Sequence, residues 1–257
     1  EFGNSGEGLG QRGRMNRVRP RCIVGAGLKL AKGGPGFPSG GNGADRRFPN
    51  HLAIICDEGE ITWSEVSEQS NQLTQALKSR GIEPGDSVAL LCRNHRYMII
   101  AMVAIMQAGG RVLLLNTMAR GSQLGDLAKR ESAKMVLLDQ EFLKVASGVD
   151  NELLVLAWAD DDAPADLPTI AKLSAGQSTK GHSKPSRHGQ IIIFTSGTTG
   201  LPKGARRAEP ADLKPLITFF GALPYRRHAT VVLAPPLLPP GALVTFGLGL
   251  PIATPAP

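Results

Sequence analysis

Ile191-Ile192-Ile193-Phe194-Thr195-Ser196-Gly197-Thr198-Thr199-Gly200-Leu201-Pro202-Lys203-Gly204 decides how this chain is read. Four unbroken apolar residues predict a buried strand. Glycine and proline then stop it. The hydroxyls and the lysine therefore fall on a loop at the carboxyl end of a strand, where open α/β sheets bind their ligands. The composition of the loop suits a polyphosphate. Glycines let backbone N–H groups approach an anion, hydroxyls donate to phosphate oxygens, and a lysine offsets their charge. The candidate phosphate-binding residues are Thr195, Ser196, Gly197, Thr198, Thr199, Gly200, Lys203 and Gly204. The pattern is not that of a Walker A loop, in which lysine follows glycine and precedes serine or threonine. Here Pro202 precedes Lys203 and Gly204 follows it.

Upstream of this stretch, strands and helices alternate. Leu52 to Cys56 predicts a strand, and residues 57–60 a turn. Thr62-Trp63-Ser64-Glu65 has the form of a capping box that opens a helix. Val66, Leu73, Ala76 and Leu77 fall on one face of it, and Gly81 supplies a left-handed stop. Ser87 to Leu91, Val112 to Leu115, Met135 to Leu138 and Leu153 to Leu156 predict further strands. Helices are expected from a cap at Asn94 through Gln107, over Ser122 to Ser132, and from Gln140. Apolar runs that are continuous rather than alternating, with helices between them, predict an α/β fold with parallel sheets covered by helices. Residues 160–189, with their Asp160 to Asp162 run, read as an exposed linker. Beyond the loop, residues 211–222 have helical character, and Thr230 to Ala234 predicts another strand.

Composition narrows the function class. Hydrophobic residues make up 42% of 257, enough for a sizeable core. Nine basic and three acidic residues fall within positions 1–50, so nearly all of the net charge of +7 sits there and the body is close to neutral. That distribution argues against a nucleic-acid protein. The first 47 residues form a glycine-rich basic tail that buries too little to order itself. The tail is read as a solvated segment, with peripheral contact to a membrane surface or an anionic partner as the functional alternative. The three cysteines, Cys22, Cys56 and Cys92, include no Cys-x-x-Cys pair, which fits a reducing cytoplasm and disfavours disulfide and zinc frameworks. His51, His95, His182, His188 and His228 show no metal-ligand spacing, so no metal residue is assigned. The longest apolar run, Tyr97 to Met106, falls short of the ~18 residues of a membrane span and reads as a core helix.

Thr195 to Gly204 resembles the signature phosphate loop of the adenylate-forming (AMP-binding) enzymes, a superfamily of acyl-CoA synthetases, luciferases and peptide-synthetase adenylation domains. Gly59-x-Ile61-Thr62-Trp63-x-Glu65, Asn71-Gln72-Leu73, Gly81-Ile82-x-Pro84-Gly85-Asp86 and Gln107-Ala108-Gly109-Gly110 with Leu115-Asn116 resemble earlier segments of the same family. The likeness spans residues 45–235 and looks closest to the fatty acyl-CoA synthetases. It implies an incomplete N-terminal domain of the adenylate-forming fold. The tail would end at residue 47, a first α/β unit would span 48–159, the linker 160–189 and a phosphate-loop unit 190–257. It also implies ATP, Mg2+ and coenzyme A as cofactors, a carboxylic acid (a fatty acid) as substrate, and a thiol acceptor. Ser196, Thr198, Thr199 and the loop amides would hold the leaving pyrophosphate, with Lys203 as a mobile charge.

The family's Tyr-Gly-x-Thr-Glu segment, its ribose-binding aspartate and its adenylation lysine are not found, and Pro239 stands where a histidine beside the acyl site is expected. The resemblance thus predicts an acid–CoA ligase whose fragment here lacks full activity. A nucleotide-binding module without catalysis is the alternative. The sequence leaves the oligomeric state open.

Overall fold

The computed structural model describes residues 49–57, 59–117, 121–181, 183, 185–195 and 203–206. Residues 1–47, the centre of the phosphate loop, residues 211–222 and 230–234 and the proline-rich end lie outside them.

A hairpin opens the described region. Strand β1 (Leu52–Cys56) pairs antiparallel with β2 (Gly59–Thr62), Cys56 standing opposite Gly59. The sequence predicts only a turn over 57–60. The turn is tighter than that, because Gly59 at φ +100° takes the left-handed conformation and leads straight into a second strand.

Helix α1 (Trp63–Ser79) starts at the expected capping box. Glu65 N–H donates to Thr62 Oγ1 at 3.3 Å, and Thr62 N–H donates to Glu65 Oε2 at 2.6 Å. Each orphan amide is thereby satisfied by its neighbour's side chain. Val66, Leu73, Ala76 and Leu77 are all buried, and Gly81, at φ +83°, follows the last turn. Thr74 lies buried within α1, where its hydroxyl donates to Ser70 O at 2.7 Å and meets Gln107 Oε1 at 2.9 Å. Gln107 ends the next helix, α2 (Arg96–Gln107), so this buried contact ties the two helices together.

Strand β3 (Ser87–Leu91), α2 (Arg96–Gln107), β4 (Arg111–Leu114), α3 (Gly121–Arg130), β5 (Ala133–Asp139), β6 (Leu154–Trp158), α4 (Ile170–Ser174), β7 (Gln190–Thr195) and β8 (Lys203–Arg206) follow. The segment after Gln140, where a helix is expected, forms only a 3₁₀ turn (Gln140–Phe142). Further on, Gly125 of α3 packs directly on Gly148: a Cβ at Gly125 would meet Gly148 O at 2.6 Å.

Among the described residues, the main sheet has six strands in the order β6-β5-β3-β4-β7-β8. The first five are mutually parallel, and only β8 runs antiparallel, to β7. Every residue of β3 is buried, which is why its run is continuously apolar. Val88 and Leu90 pack on one face with Leu73, Leu77, Met102 and Ile105 of α1 and α2. Ala89 and Leu91 pack on the other with Leu124 and Leu127 of α3 and with Phe142. Each fully buried leucine contributes roughly 1.5–3 kcal/mol.

Residues 160–189 are more than the exposed linker the sequence predicts. Leu167 and Ile170 are buried, α4 packs on α1, and Asn71 and Gln72 donate to Thr179 O (2.8 Å) and Gln177 O (3.3 Å). The segment also reaches the outer edge of β6, where Leu156 N–H donates to Pro168 O at 2.8 Å and Leu156 bridges Thr169. Leu167 and Ile170, with Ala163 and Leu173 packed beside the core, are too few to show through its polar composition. Among the described residues, no helix is long and apolar enough to cross a membrane.

Candidate functional site

Parallel strands share one carboxyl edge, and two chemically distinct features stand on it. The first is the phosphate motif. Ile192, Ile193 and Phe194 are buried in β7, so the strand is anchored up to the motif's first residue, Thr195. Thr195 pairs with Lys203 and Phe194 with Gly204 in the antiparallel ladder to β8. Lys203 and Gly204 are thus on a returning strand rather than on the loop the sequence predicts. Glycine and proline break the first strand but do not prevent a second from forming beyond them. Ser196, Gly197, Thr198, Thr199 and Gly200 lie outside the described residues. Arg130 of α3 sits over the Phe194 ring at 5.8 Å, beside the base of the motif.

The second feature lies where β3 and β5 end side by side. From β3 the chain turns to α2 on one face of the sheet, and from β5 to Phe142 on the other. Neighbouring strands whose connections diverge in this way open a crevice at their carboxyl ends. Cys92, Arg93 and His95 come from the first connection, and Asp139 and Glu141 from the second.

His95 caps α2, in place of the expected Asn94: it has extended backbone (φ −147°, ψ 171°), and Met98 N–H donates to its Nδ1 at 3.3 Å. Histidine replaces the usual hydroxyl or amide here because its ring also reaches a second group. Nδ1 is an acceptor, so the ring proton is on Nε2, which donates to Asp139 Oδ1 at 2.9 Å. The other oxygen of Asp139 accepts from Arg93 N–H at 2.7 Å. Both members are buried, and the carboxylate keeps two donors as compensation. Cys92 lies against the same pair, its Sγ 3.9 Å from Leu137 O. Burial first, and then the Asp139 charge and hydrogen bond, push its thiol well above the ordinary range. Cys92 is therefore a protonated, inert thiol rather than a nucleophile.

An aromatic cluster borders this junction of β3 and β5. His95, Tyr97 and Trp158 form a triangle with ring centroids 5.9–6.0 Å apart, and Arg96 lies over Tyr97 at 5.1 Å. Outside it, Arg93 grips Glu141 with two hydrogen bonds of 2.7 Å, and this lowers the glutamate's pKa and raises the arginine's. The pair is largely exposed and adds little to stability.

Cys92, His95 and Asp139 were not legible as a group in the sequence, because 44 residues separate His95 from its carboxylate. The available signal was positional: each follows or ends an apolar strand, at the edge where ligands gather.

The whole frame has relatives. A family model described as AMP-binding enzyme matches residues 43–209. Nonribosomal peptide synthetase 32 of Fusarium pseudograminearum is 31% identical over 159 residues, 61% of this chain but 2% of that protein. The N-terminal domain of FACL13 from Mycobacterium tuberculosis superposes with a TM-score of 0.70 at 18% identity, over 84% of this chain and 55% of that one. The anthranilate CoA ligase AuaEII, solved in complex with anthranoyl-AMP, superposes with a TM-score of 0.61 at 22% identity, over 67% and 34%. The chain thus spans a small part of its curated relatives and about a third to a half of these solved chains. The sheet order, the phosphate motif closing β7 and a family match over more than half the residues agree: the chain belongs to the AMP-binding enzymes.

Proposed function

We propose that the chain holds ATP by its phosphates and takes part in the adenylation of a carboxylate, a fatty acid whose acyl group then passes to the thiol of coenzyme A. The observation that carries this is the unbroken motif from Thr195 to Gly204 at the carboxyl end of β7, its two ends paired in one ladder. In the first step a carboxylate oxygen attacks the α-phosphorus, the bond to the bridging oxygen breaks, and acyl-adenylate and pyrophosphate form. In the second, a thiolate attacks the acyl carbon and AMP leaves. Charge accumulates on the departing pyrophosphate. Hydroxyls, amides and Lys203 held around it lower the barrier more than they tighten ATP binding. Thr195 to Gly204 includes no carboxylate, so none of these residues is assigned to Mg2+, and no step is routed through the ion.

A second carboxylate class, an amino acid, is favoured by the peptide synthetase at 31% identity. Titration with ATP tests the nucleotide site: Lys203→Ala is expected to weaken binding by about tenfold or more. Equal affinity of the two proteins would refute it. ATP–pyrophosphate exchange with fatty acids against amino acids separates the substrate classes, and binding with no exchange in either case identifies a module without catalysis.

A further inference from the structure

We propose that the segment from Lys172 to Arg187 docks this chain on an anionic lipid surface, independent of the nucleotide reading. No aspartate or glutamate occurs between Asp166 and Glu209. Lys172, Lys180, Lys184 and Arg187 all fall in the part of that interval that precedes β7. Lys172, Lys180 and Arg187 are exposed, as is Arg80, which caps the C-terminal end of α1. The ion pairs among the described residues are Arg93–Glu141, His95–Asp139 and Arg130–Glu131, so no carboxylate holds any of these four exposed cations.

The backbone beneath the charges is fixed. Asn71 and Gln72 of α1 donate to Thr179 O and Gln177 O. Further on, the segment closes on the turns that lead into β3 and β4. A Cβ at Gly109 would stand 2.8 Å from Arg187 O and 2.9 Å from Pro185 Cβ, and one at Gly85 would stand 3.1 Å from Arg187 Nη1. Only glycine lets the segment lie so close. Arg187 is thereby placed on the stretch that follows α1. The carboxylates there are Glu83 and Asp86, and Asp86 Oδ2 already accepts Glu83 N–H at 2.9 Å.

What meets this surface comes from outside the chain. Residues 1–50 hold nine basic and three acidic residues, and residues 207–257 hold four and two. Both flanks are net positive, so neither neutralises the segment. The chemistry of the partner follows from what the segment lacks. It has no aromatic residue on which nucleic-acid bases could stack. It also has none of the aromatic and methionine anchors that fill the core of a protein interface. Cations set among serine, threonine, glutamine and glycine suit a diffuse anionic surface that requires no shape complementarity. Each lysine or arginine held near an anionic bilayer strengthens binding about fivefold.

Sedimentation of the full chain with vesicles is the test. Phosphatidylcholine and phosphatidylserine mixed at about three to one should carry the wild type down, and phosphatidylcholine alone should not. Raising the salt from about 0.1 M to about 0.5 M should release it. Lys180→Glu with Arg187→Glu should lower the partition coefficient about 25-fold or more. Lys129 and Lys144 are exposed on the elements that cover the opposite face of the sheet. Lys129→Glu with Lys144→Glu changes the net charge equally and should lower partition by about threefold at most. Lys180→Arg with Arg187→Lys should bind as the wild type does, because charge rather than fork geometry is read. Circular dichroism shows that each variant is folded. Equal losses in the two glutamate pairs overturn the proposal. So does sedimentation with phosphatidylcholine alone, or a wild type that ignores both vesicles, whether or not it binds polyuridylate RNA.

Discussion

Thr195 and Lys203 face each other across the β7–β8 ladder, the last residue of one strand against the first of the next. The seven residues between them are therefore held at both ends by main-chain hydrogen bonds. For the proposed polyphosphate site, this lowers the cost of presenting donors, since the entropy of closing the loop is spent on folding rather than on binding. Two substitutions at the ladder should separate by size. Lys203→Ala removes a charge-assisted contact of about 1.5–3 kcal/mol, whereas Thr195→Val keeps a β-branched strand former and removes a neutral donor of about 0.5–1.5 kcal/mol. ATP affinity measured by calorimetry should fall in that order, with melting temperatures close to wild type.

His95 serves two partners, and variants separate them. His95→Ala loses the cap, about 1 kcal/mol, and also leaves the buried Asp139 with one donor, for a total of about 2–4 kcal/mol. His95→Asn retains a cap acceptor and should lose about half as much. Denaturant unfolding of both variants checks this, and equal losses would show that the cap contributes nothing.

Cys92 gives stability a pH dependence with a definite sign. Its thiol is raised in the folded chain, so as pH climbs past the ordinary cysteine range the unfolded chain releases a proton that the folded chain keeps. Folding stability contributed by this group is thus complete at neutral pH and declines in alkali. Cys92→Ser should flatten that decline. A thiol reagent should also label Cys92 in denaturant and leave it unmodified in the native chain.

Gly189 is a contact rather than a hinge. A Cβ there would stand 2.4 Å from Met106 Cα and 2.6 Å from Met106 O, both main-chain atoms of α2. Neither can move without shifting the helix, so Gly189→Ala should cost 1–3 kcal/mol or more by thermal melting. Gly181→Ala, where nothing lies within 4 Å, should change little and serves as the control.

Much of this fold was legible locally. The capping box at Thr62 and Glu65, the stop at Gly81 and the continuous apolar runs of β3, β5 and β7 each specify their element from nearby residues alone. The misreadings share a cause: distant partners. Asn94 is the better intrinsic cap, yet His95 takes the position because Asp139 waits on β5. Lys203 reads as loop until Thr195 is placed opposite it. Residues 160–189 read as linker because their anchors, Asn71 and Gln72, belong to a helix about a hundred residues earlier. The phosphate motif was recognisable for the opposite reason, since its chemistry is contained in ten consecutive residues.

The strap at β6 has a wider consequence. Pro168 and Thr169 occupy the outer side of that strand, and proline brings no N–H of its own for a newcomer to use. A second chain seeking to add a strand there meets a position already taken, which protects against edge-to-edge aggregation. Among the described residues, the edge of the sheet left uncovered is that of β8, beside the proposed phosphate site. A strand added there would enlarge the sheet and build up one wall of that proposed site in the same event.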